Sequence, residues 1–276
     1  MSAKIHPSAI VSPNAKLAAN VEVGPFCVIG DDVQIGDATV LKSHVVVEGD
    51  TVIGKNNLIF PFAVIGVAPQ DLKFRGEKAR VEIGDNNRIR EHVTIHLGTQ
   101  DGAMVTKIGS NCLLMVGVHI AHDCIVGNHV ILANNATLAG HVEIGDNVVV
   151  GGLSAMHQFV RIGQGAMIGG MSGVESDVIP YGTVMGERAS LAGLNLVGLK
   201  RRNAPREEIH ALRNFYKKLF EEKTDGNFQK RVDEVKGEFS GELVNEVVGF
   251  IKSESSRSFT QPAFAKASAG RPVGDK

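Results

Sequence analysis

Two neighbouring residues in the segment HIAHDC, His122 and Asp123, have the side chains expected of acid–base chemistry. A neutral imidazole has a reference pKa of about 6.5 and accepts a proton readily near neutral pH. A carboxylate beside it can fix its tautomer, as an orienting acid does in other histidine sites. Gly140 has no side chain, so its backbone N–H is approachable by a developing oxyanion. His141 and His157 are further polar candidates, and the pattern indicates general-base catalysis.

A six-residue repeat predicts the elements that position these residues. In steps of six, aliphatic side chains recur through 5–65, 83–95 and 108–174. A period of six does not keep residues on one face of an α-helix, whereas hexapeptide periodicity is typical of a parallel β-helix. Three hexads make one coil of a triangular prism, so residues eighteen apart stack on consecutive coils. Small residues and glycines fit the tight corners.

The repeat predicts a shared position for three histidines. His122, His141 and His157 each follow, within three residues, one of a set of aliphatic residues spaced eighteen apart. We therefore expect them in one column that spans about 10 Å along a wall of the prism. Hexapeptide prisms also occur as zinc-dependent carbonic anhydrases, and His119 with His122 and His141 is a conceivable ligand set. A zinc site is thus an alternative to general-base catalysis.

The composition excludes several classes of protein. Lys and Arg number 29 against 30 Asp and Glu, and a net charge of −1 argues against a protein that coats nucleic acid or anionic lipid. No secretory signal pattern and no apolar run of transmembrane length is present, so we expect a cytoplasmic protein without a transmembrane segment. The 3 cysteines include no C-x-x-C pair and are expected to be packing residues.

The same repeat predicts the domain organisation. Residues 1–190 should form the catalytic β-helix, with a loop insertion at 66–82 and one extra residue in the stretch 96–107. Residues 191–255 contain apolar residues at helical spacing and should form a small helical domain. The tail, 256–276, is rich in Ser, Ala, Pro and Gly and is expected to be disordered.

Several longer segments carry a family resemblance: QDLK at 70–73, IGDNNRIRE at 83–91, VTIH at 93–96, HIAHDC at 119–124, GNHVILANNATLAGH at 127–141, HQF at 157–159 and NLVGLKRR at 195–202. Together they resemble the UDP-N-acetylglucosamine O-acyltransferases, a family of hexapeptide-repeat acyltransferases, over about residues 1–255. The resemblance implies an all-β left-handed parallel β-helix with a small C-terminal α-helical appendage. It also implies a homotrimer with clefts between neighbouring prisms, and we expect no cofactor.

The resemblance implies the first reaction of lipid A synthesis, in which a 3-hydroxyacyl chain passes from acyl carrier protein to the glucosamine 3-position of UDP-N-acetylglucosamine. In that reaction His122 is the general base, Asp123 its orienting partner and Gly140 a donor to the thioester oxyanion. The residues implied to contact the substrates are Gln70, Asp71, Lys73, His141, His157, Gln158, Asn195, Arg201 and Arg202. Gly170 is implied to leave the acyl groove open, which predicts a donor of about fourteen carbons.

Other functions remain alternatives from the sequence alone. Another hexapeptide-repeat acyltransferase of nucleotide sugars would share the repeat and the base, and a carbonic-anhydrase-like prism would hold zinc. A scaffolding prism would need no histidine column. An ice-binding prism would need a flat ladder of repeated Thr pairs, which this sequence lacks.

Overall fold

The computed structural model describes residues 2–221 and 228–263. Within these residues the strands form three sheets, one for each side of a triangular prism, and the chain passes from sheet to sheet in turn. The pairing is parallel throughout the prism until its last strand. The architecture is a left-handed parallel β-helix with a small C-terminal helical domain, which confirms the predicted fold class.

The strands of each sheet stack in order along the prism axis. The first sheet contains Lys4–Ile5, Glu22–Val23, Val40–Leu41, Leu58–Ile59, Arg88–Ile89, Leu113–Leu114, Ile131–Leu132, Val149–Val150, Met167–Ile168, Gly182–Met185 and Ser190–Leu194. The second sheet contains Ile10–Val11, Val28–Ile29, Val46–Val47, Val64–Val67, Thr94–His96, His119–Ile120, Thr137–Leu138, Ala155–Met156 and Gly173–Val174. The third sheet contains Lys16–Leu17, Val33–Ile35, Asp50–Ile53, Arg80–Ile83, Val105–Ile108, Ile125–Val126, Glu143–Ile144 and Arg161–Ile162.

The register between coils follows the predicted step of eighteen residues. Ile120 pairs with Leu138, and Leu138 pairs with Met156. These three side chains point into the prism and are at most 2% exposed. Each coil also donates backbone hydrogen bonds to the next, because the strands of a parallel sheet pair along the prism axis. A buried aliphatic column and axial hydrogen bonds therefore hold the coils together.

Each edge of the prism is a column of residues with positive φ. The first edge, between the first and second sheets, includes Phe26, His44, Phe62, His92, Gly117, Asn135, Leu153 and Met171. The second edge, between the second and third sheets, includes Asp123, His141 and Phe159. The third edge, between the third and first sheets, includes Asn56, Asn86, Asn111, Asn147, Gly165 and Tyr181. Asparagine and glycine recur because they tolerate the left-handed conformation better than most residues.

Two loops leave the prism, both at the second edge. The first loop, residues 68–79, lies in the coil that runs from Ile59 to its pairing partner Ile89, within the predicted insertion. The second loop, residues 97–104, is longer than the single extra residue predicted in 96–107. Ile95 and Ile108 lie on adjacent sides of one coil, so thirteen residues replace a single step of six, and the loop has seven extra residues. Hexad counting failed here because two steps of six from Ile95 reach residue 107, which is only one residue before Ile108.

The helical domain follows the prism. Its helices are α1 (Leu196–Arg201), α2 (Arg206–Tyr216), α3 (Phe228–Lys236) and α4 (Glu242–Lys252), with a π-helical turn at Lys217–Glu221. The buried residues of α2 and α4 recur three or four positions apart, as in amphipathic helices. Among the described residues, every helix is too short or too polar to span a bilayer.

A C-terminal strap, residues 253–261, returns from α4 to the prism. Asp177 accepts a backbone hydrogen bond from Thr260 at 2.8 Å and donates one to the Ser258 carbonyl at 2.8 Å. Leu191 donates to the Gln261 carbonyl at 3.0 Å. This part of the chain therefore differs from the disordered tail expected from residue 256, because Phe259 pairs in parallel with Asp177 and extends the third side of the prism. The remainder of that predicted tail, 264–276, lies outside the described residues.

Candidate active site

His122 and its predicted partner Asp123 lie together on the second edge, directly after the strand His119–Ile120. His122 Nδ1 lies 2.9 Å from Asp123 Oδ2. Burial by itself would raise the pKa of Asp123, but hydrogen bonds from His122 and Thr99 outweigh it and hold that pKa below its usual value. An ionised carboxylate only accepts hydrogen bonds, so Nδ1 of His122 carries the proton and Nε2 keeps a free lone pair.

The second loop fixes the Asp123 carboxylate from the other side. The Thr99 backbone N–H and hydroxyl both donate to Oδ2, at 3.0 and 2.6 Å. The Asp123 N–H donates to the Thr106 hydroxyl at 2.8 Å. A Cβ on Gly102 would lie only 2.3 to 2.6 Å from the carboxylate, so glycine is required for the loop to close over it. Thr99 lies in the loop, where no periodicity places it, whereas Thr106 lies in the strand Val105–Ile108 and shows no role until Asp123 is placed beside it.

Gly140 lies one coil beyond His122 and beneath its ring. A Cβ on Gly140 would come within 2.5 Å of Cε1 and Nε2 of His122, so any side chain here would displace the imidazole. The structure therefore packs Gly140, whose N–H has no acceptor among the described residues, against the Nε2 side of the His122 ring.

His141 and Phe159 extend this cluster along the second edge. The His141 ring meets His122 edge-on at a centroid distance of 4.9 Å and stacks on Phe159 at 4.4 Å. Burial lowers the pKa of His141, although the negative charges of Asp123, Asp71 and Asp101 oppose this shift. His141 is therefore a neutral imidazole at pH 7.

The first loop contains Gln70, Asp71 and Lys73, three of the residues predicted to contact the substrates. Gln70 and Lys73 are exposed and Asp71 is half-buried. Lys73 bridges to Asp101 of the second loop, with Nζ 3.1 Å from Oδ2. Since Asp71 and Asp101 both act on the pKa of His141, the two loops bound the same side of the histidine cluster.

Two further histidines, for which the sequence predicts no catalytic role, lie on the second sheet; His96 is buried and His119 is half-buried. The His96 and His119 rings meet edge-on at 5.1 Å. His96 Nδ1 bonds to the Ala68 carbonyl at 3.0 Å, and His119 Nδ1 lies 2.8 Å from the Thr94 hydroxyl. Burial lowers the pKa of both rings. The segment HIAHDC signals His119, but only the fold reveals its partner.

The zinc alternative can be compared with this geometry. One ligand atom from each of His122, Asp123 and His141 lies within 4.8 Å of the others. This set does not include His119, whose Nδ1 is bonded to Thr94. The Asp123 carboxylate already accepts hydrogen bonds from His122 and Thr99. The donors are thus arranged as an imidazole–carboxylate pair rather than as three ligands converging on one point.

The remaining predicted residues do not join this cluster within one chain. His157 and Gln158 are exposed on the second edge, one coil past His141. Asn195 caps α1 and ties it to the third edge, since its Oδ1 accepts from Gly198 N and its Nδ2 donates to the Gly165 carbonyl, each at 2.9 Å.

The basic pair at the C-terminal end of α1 lies near the same third edge. Arg201 and Arg202 are exposed, and the Arg202 guanidinium lies 5.5 Å from the Tyr181 ring centroid. His157 and Gln158 therefore lie on a different edge of the prism from Asn195, Arg201 and Arg202.

The three cysteines behave as predicted. Cys27, Cys112 and Cys124 are buried and free. Burial raises the pKa of all three thiols, that of Cys124 to about 12. None of them is a thiolate nucleophile at neutral pH.

Comparison with known proteins assigns this fold and cluster to a class. The model of bacterial transferase hexapeptide repeats matches residues 14–49 and 106–140. The model of UDP-N-acetylglucosamine O-acyltransferase domain 2 matches residues 177–260, from the last coils to the strap. The chain is thus a hexapeptide-repeat protein of the transferase class.

Individual relatives narrow the assignment. The acyl-[acyl-carrier-protein]–UDP-N-acetylglucosamine O-acyltransferase of Caulobacter vibrioides is 57% identical over 259 residues, which cover 94% of this chain and 98% of that protein. The UDP-N-acetylglucosamine O-acyltransferase structure from Moraxella catarrhalis is 42% identical with a TM-score of 0.89, covering 95% of this chain and 100% of that one. The UDP-N-acetylglucosamine acyltransferase structure from Francisella novicida is 39% identical with a TM-score of 0.89, covering 95% and 96%. The chain belongs to the acyl-[acyl-carrier-protein]–UDP-N-acetylglucosamine O-acyltransferase family.

One buried and two half-buried histidines predict how stability depends on pH. Burial lowers the folded-state pKa of His96, His119 and His141, so below about pH 6.5 the unfolded chain binds protons that the folded chain does not. The free energy of unfolding should therefore fall between about pH 7.5 and 5.5, before carboxylates titrate. Thermal unfolding of wild type and His119→Gln across this window checks the prediction. The variant should lose less stability on acidification, and equal losses in both proteins would contradict it.

Proposed function

We propose that this protein transfers a 3-hydroxyacyl chain from acyl carrier protein to the glucosamine 3-hydroxyl of UDP-N-acetylglucosamine, the first step of lipid A synthesis. The observation that carries the proposal is the His122–Asp123 pair, whose imidazole packs on Gly140, a residue whose N–H has no acceptor in the described part of the chain. A sugar hydroxyl is a weak nucleophile, and a fixed neutral imidazole is suited to remove its proton. The names of the relatives supply both substrates.

The reaction is an acyl transfer without a covalent enzyme intermediate. The sugar hydroxyl gives its proton to His122 Nε2 while its oxygen attacks the thioester carbonyl. Asp123 stabilises the imidazolium that forms, and the Gly140 N–H donates to the oxyanion. Collapse of the intermediate breaks the C–S bond, and the departing thiolate takes the proton back from His122. The products are the sugar ester and the free thiol of the carrier protein.

Substrate binding is proposed to need more than one chain. His157 and Gln158 lie on the second edge, whereas Asn195, Arg201 and Arg202 lie near the third edge. We propose that the nucleotide contacts both groups by lying between the second edge of one prism and the third edge of a neighbour. A head-to-tail contact of this kind closes into a ring when the rotation between neighbours fits, and we propose a homotrimer with three equivalent clefts, located in the cytoplasm as the sequence predicts.

Arg201 and Arg202 are suited to the anionic parts of the substrates. A guanidinium binds a phosphate through two parallel hydrogen bonds, and an exposed basic pair also attracts an acidic carrier protein. In the cleft these two side chains would meet the diphosphate of the sugar nucleotide while the opposite edge presents the base.

Removal of the base is the first test of the proposed function. His122→Ala should lower kcat by about 10²- to 10⁴-fold while the protein stays folded, because general-base catalysis contributes a factor of this size. Product formation from UDP-N-acetylglucosamine and 3-hydroxyacyl carrier protein can be followed by mass spectrometry. Retention of more than about a tenth of the wild-type kcat would overturn the assignment.

The same assay separates the zinc alternative from the proposed mechanism. Wild-type protein stripped of metal with a chelator should keep its full activity, because the geometry supplies the proton acceptor without a metal. Loss of activity that zinc restores would instead favour the metal reading.

The shared cleft predicts complementation between two inactive variants. His122→Ala lacks the base of the second edge, and the double variant Arg201→Ala/Arg202→Ala lacks the basic pair of the third edge. When the two chains are co-assembled in equal amounts, about a quarter of the clefts should combine an intact second edge with an intact third edge. Activity should recover to about that fraction of wild type, whereas a site within one chain would give no recovery.

Gly170 is proposed to set the length of the acyl chain. Its φ is not positive, and a Cβ built there would meet the backbone of Gly152 at ordinary contact distances, 3.4 Å to the oxygen and 4.0 Å to the nitrogen, so neither backbone conformation nor packing requires glycine. Gly169 differs, because its Cβ would lie 2.9 Å from Met185 Cβ. Leu153 and Met171 lie with Gly170 on the first edge and are 62% and 71% exposed. They provide an apolar wall beside the open space at Gly170.

Substitution of Gly170 tests this role. Gly170→Met should shift selectivity from a fourteen-carbon to a ten-carbon 3-hydroxyacyl donor, because the new side chain fills space that the longer chain occupies. A competition assay with both donors measures the ratio. Wild-type preference for the shorter donor, or an unchanged ratio in the variant, would show that Gly170 does not set the length.

A further inference from the structure

The C-terminal strap delivers one side chain to the second edge. Arg257 Nη2 lies 2.7 Å from His157 Nδ1, and Arg257 Nε donates to the Gln158 carbonyl at 3.0 Å. These two contacts span 100 and 99 residues of sequence, and no periodicity in the chain signals them. The Arg257 backbone N–H donates locally to the Ser255 hydroxyl at 3.0 Å.

A buried ion pair anchors the strap and so limits the freedom of Arg257. The Asp177 side chain is fully buried, and its Oδ2 accepts from Arg161 Nε at 2.8 Å and from the Ser255 hydroxyl at 2.7 Å. Arg161 also donates to the Ser253 hydroxyl at 2.6 Å. The chain on both sides of Arg257 is therefore held to the prism, since Ser258 and Thr260 bond to the Asp177 backbone.

The contact determines the tautomer of His157. A guanidinium has no acceptor and can only donate, so His157 Nδ1 must present a lone pair to it. The Gln158 carbonyl lies 3.4 Å from the same Nδ1, but this carbonyl already accepts from Arg257 and the distance is longer. His157 is thus the neutral tautomer with its proton on Nε2, and that N–H is available as a donor.

The geometry assigns Arg257 as a positioning residue that acts through His157 on the nucleotide sugar. Arg257 fixes the ring so that the Nε2–H can donate to an oxygen of the ribose, phosphate or sugar. It also secures the corner that leads into Phe159, whose ring stacks on His141 at 4.4 Å. This inference deepens the proposed function and rests on it, because it assumes that the substrate lies along this edge.

Steady-state kinetics on the full-length protein test the assignment. Arg257→Ala should lower kcat/KM for UDP-N-acetylglucosamine about tenfold, mainly through KM, since a hydrogen bond to a charged group is lost. In the His157→Ala background the same change should have almost no further effect, because Arg257 acts through that ring. Ser256→Ala, an exposed neighbour in the strap, is the matched control and should behave as wild type.

Nitrogen-15 NMR of histidine-labelled protein supplies a readout that does not depend on turnover. Wild type should show His157 as the Nε2–H tautomer, and Arg257→Ala should show a mixture of tautomers. Arg257→Gln, whose amide can still donate to Nδ1, should keep the wild-type tautomer if Arg257→Ala proves unstable. An unchanged tautomer in Arg257→Ala, or additive kinetic effects of the two substitutions, would overturn the assignment. Absence of acylated product from wild type would instead refute the proposed function, while the tautomer would still be measured.

Discussion

Hydrogen bonds along the prism axis are the interaction on which the rest of this structure depends. Each coil donates to the next, with a register of eighteen residues outside the two coils that carry loops. The buried aliphatic column keeps that register, because a slip of one residue would turn those side chains outward. The candidate site inherits its geometry from this stacking. Gly140 lies under the His122 ring because it is one coil further along, and the His141 N–H donates to the His122 carbonyl at 3.0 Å.

Features that repeat with the coil could be predicted from the sequence. The hexads predict the three sheets, the buried cysteines and the column that joins His122, Gly140 and His141. Apolar spacing predicts the helices, and Pro205 precedes the first residue of α2 as its N-cap. These predictions succeed because a buried period leaves one register that keeps the apolar side chains inside.

Features that depend on aperiodic segments could not be predicted. Thr99 reaches Asp123 from a loop, and Arg257 reaches His157 from the strap, so each contact joins segments whose spacing carries no signal. Asn195 is a different case. Its motif is visible in the sequence, but only the fold shows that its side chain caps α1. Side-chain direction at an edge also escapes the pattern: His157 lies on the same edge as His141, yet Arg257 holds its ring.

The two loops at the second edge have a thermodynamic consequence. They lengthen the coils that end at Ile89 and Leu114 to about thirty and twenty-five residues, while the strands on either side keep their pairing. Loop-closure entropy rises only with the logarithm of length, so a coil of thirty residues costs about 0.5 kcal/mol more to close than one of eighteen. This edge can therefore accept extra chain at little expense in stability. Within this fold, it is the place where new binding loops can arise while the repeat stays intact.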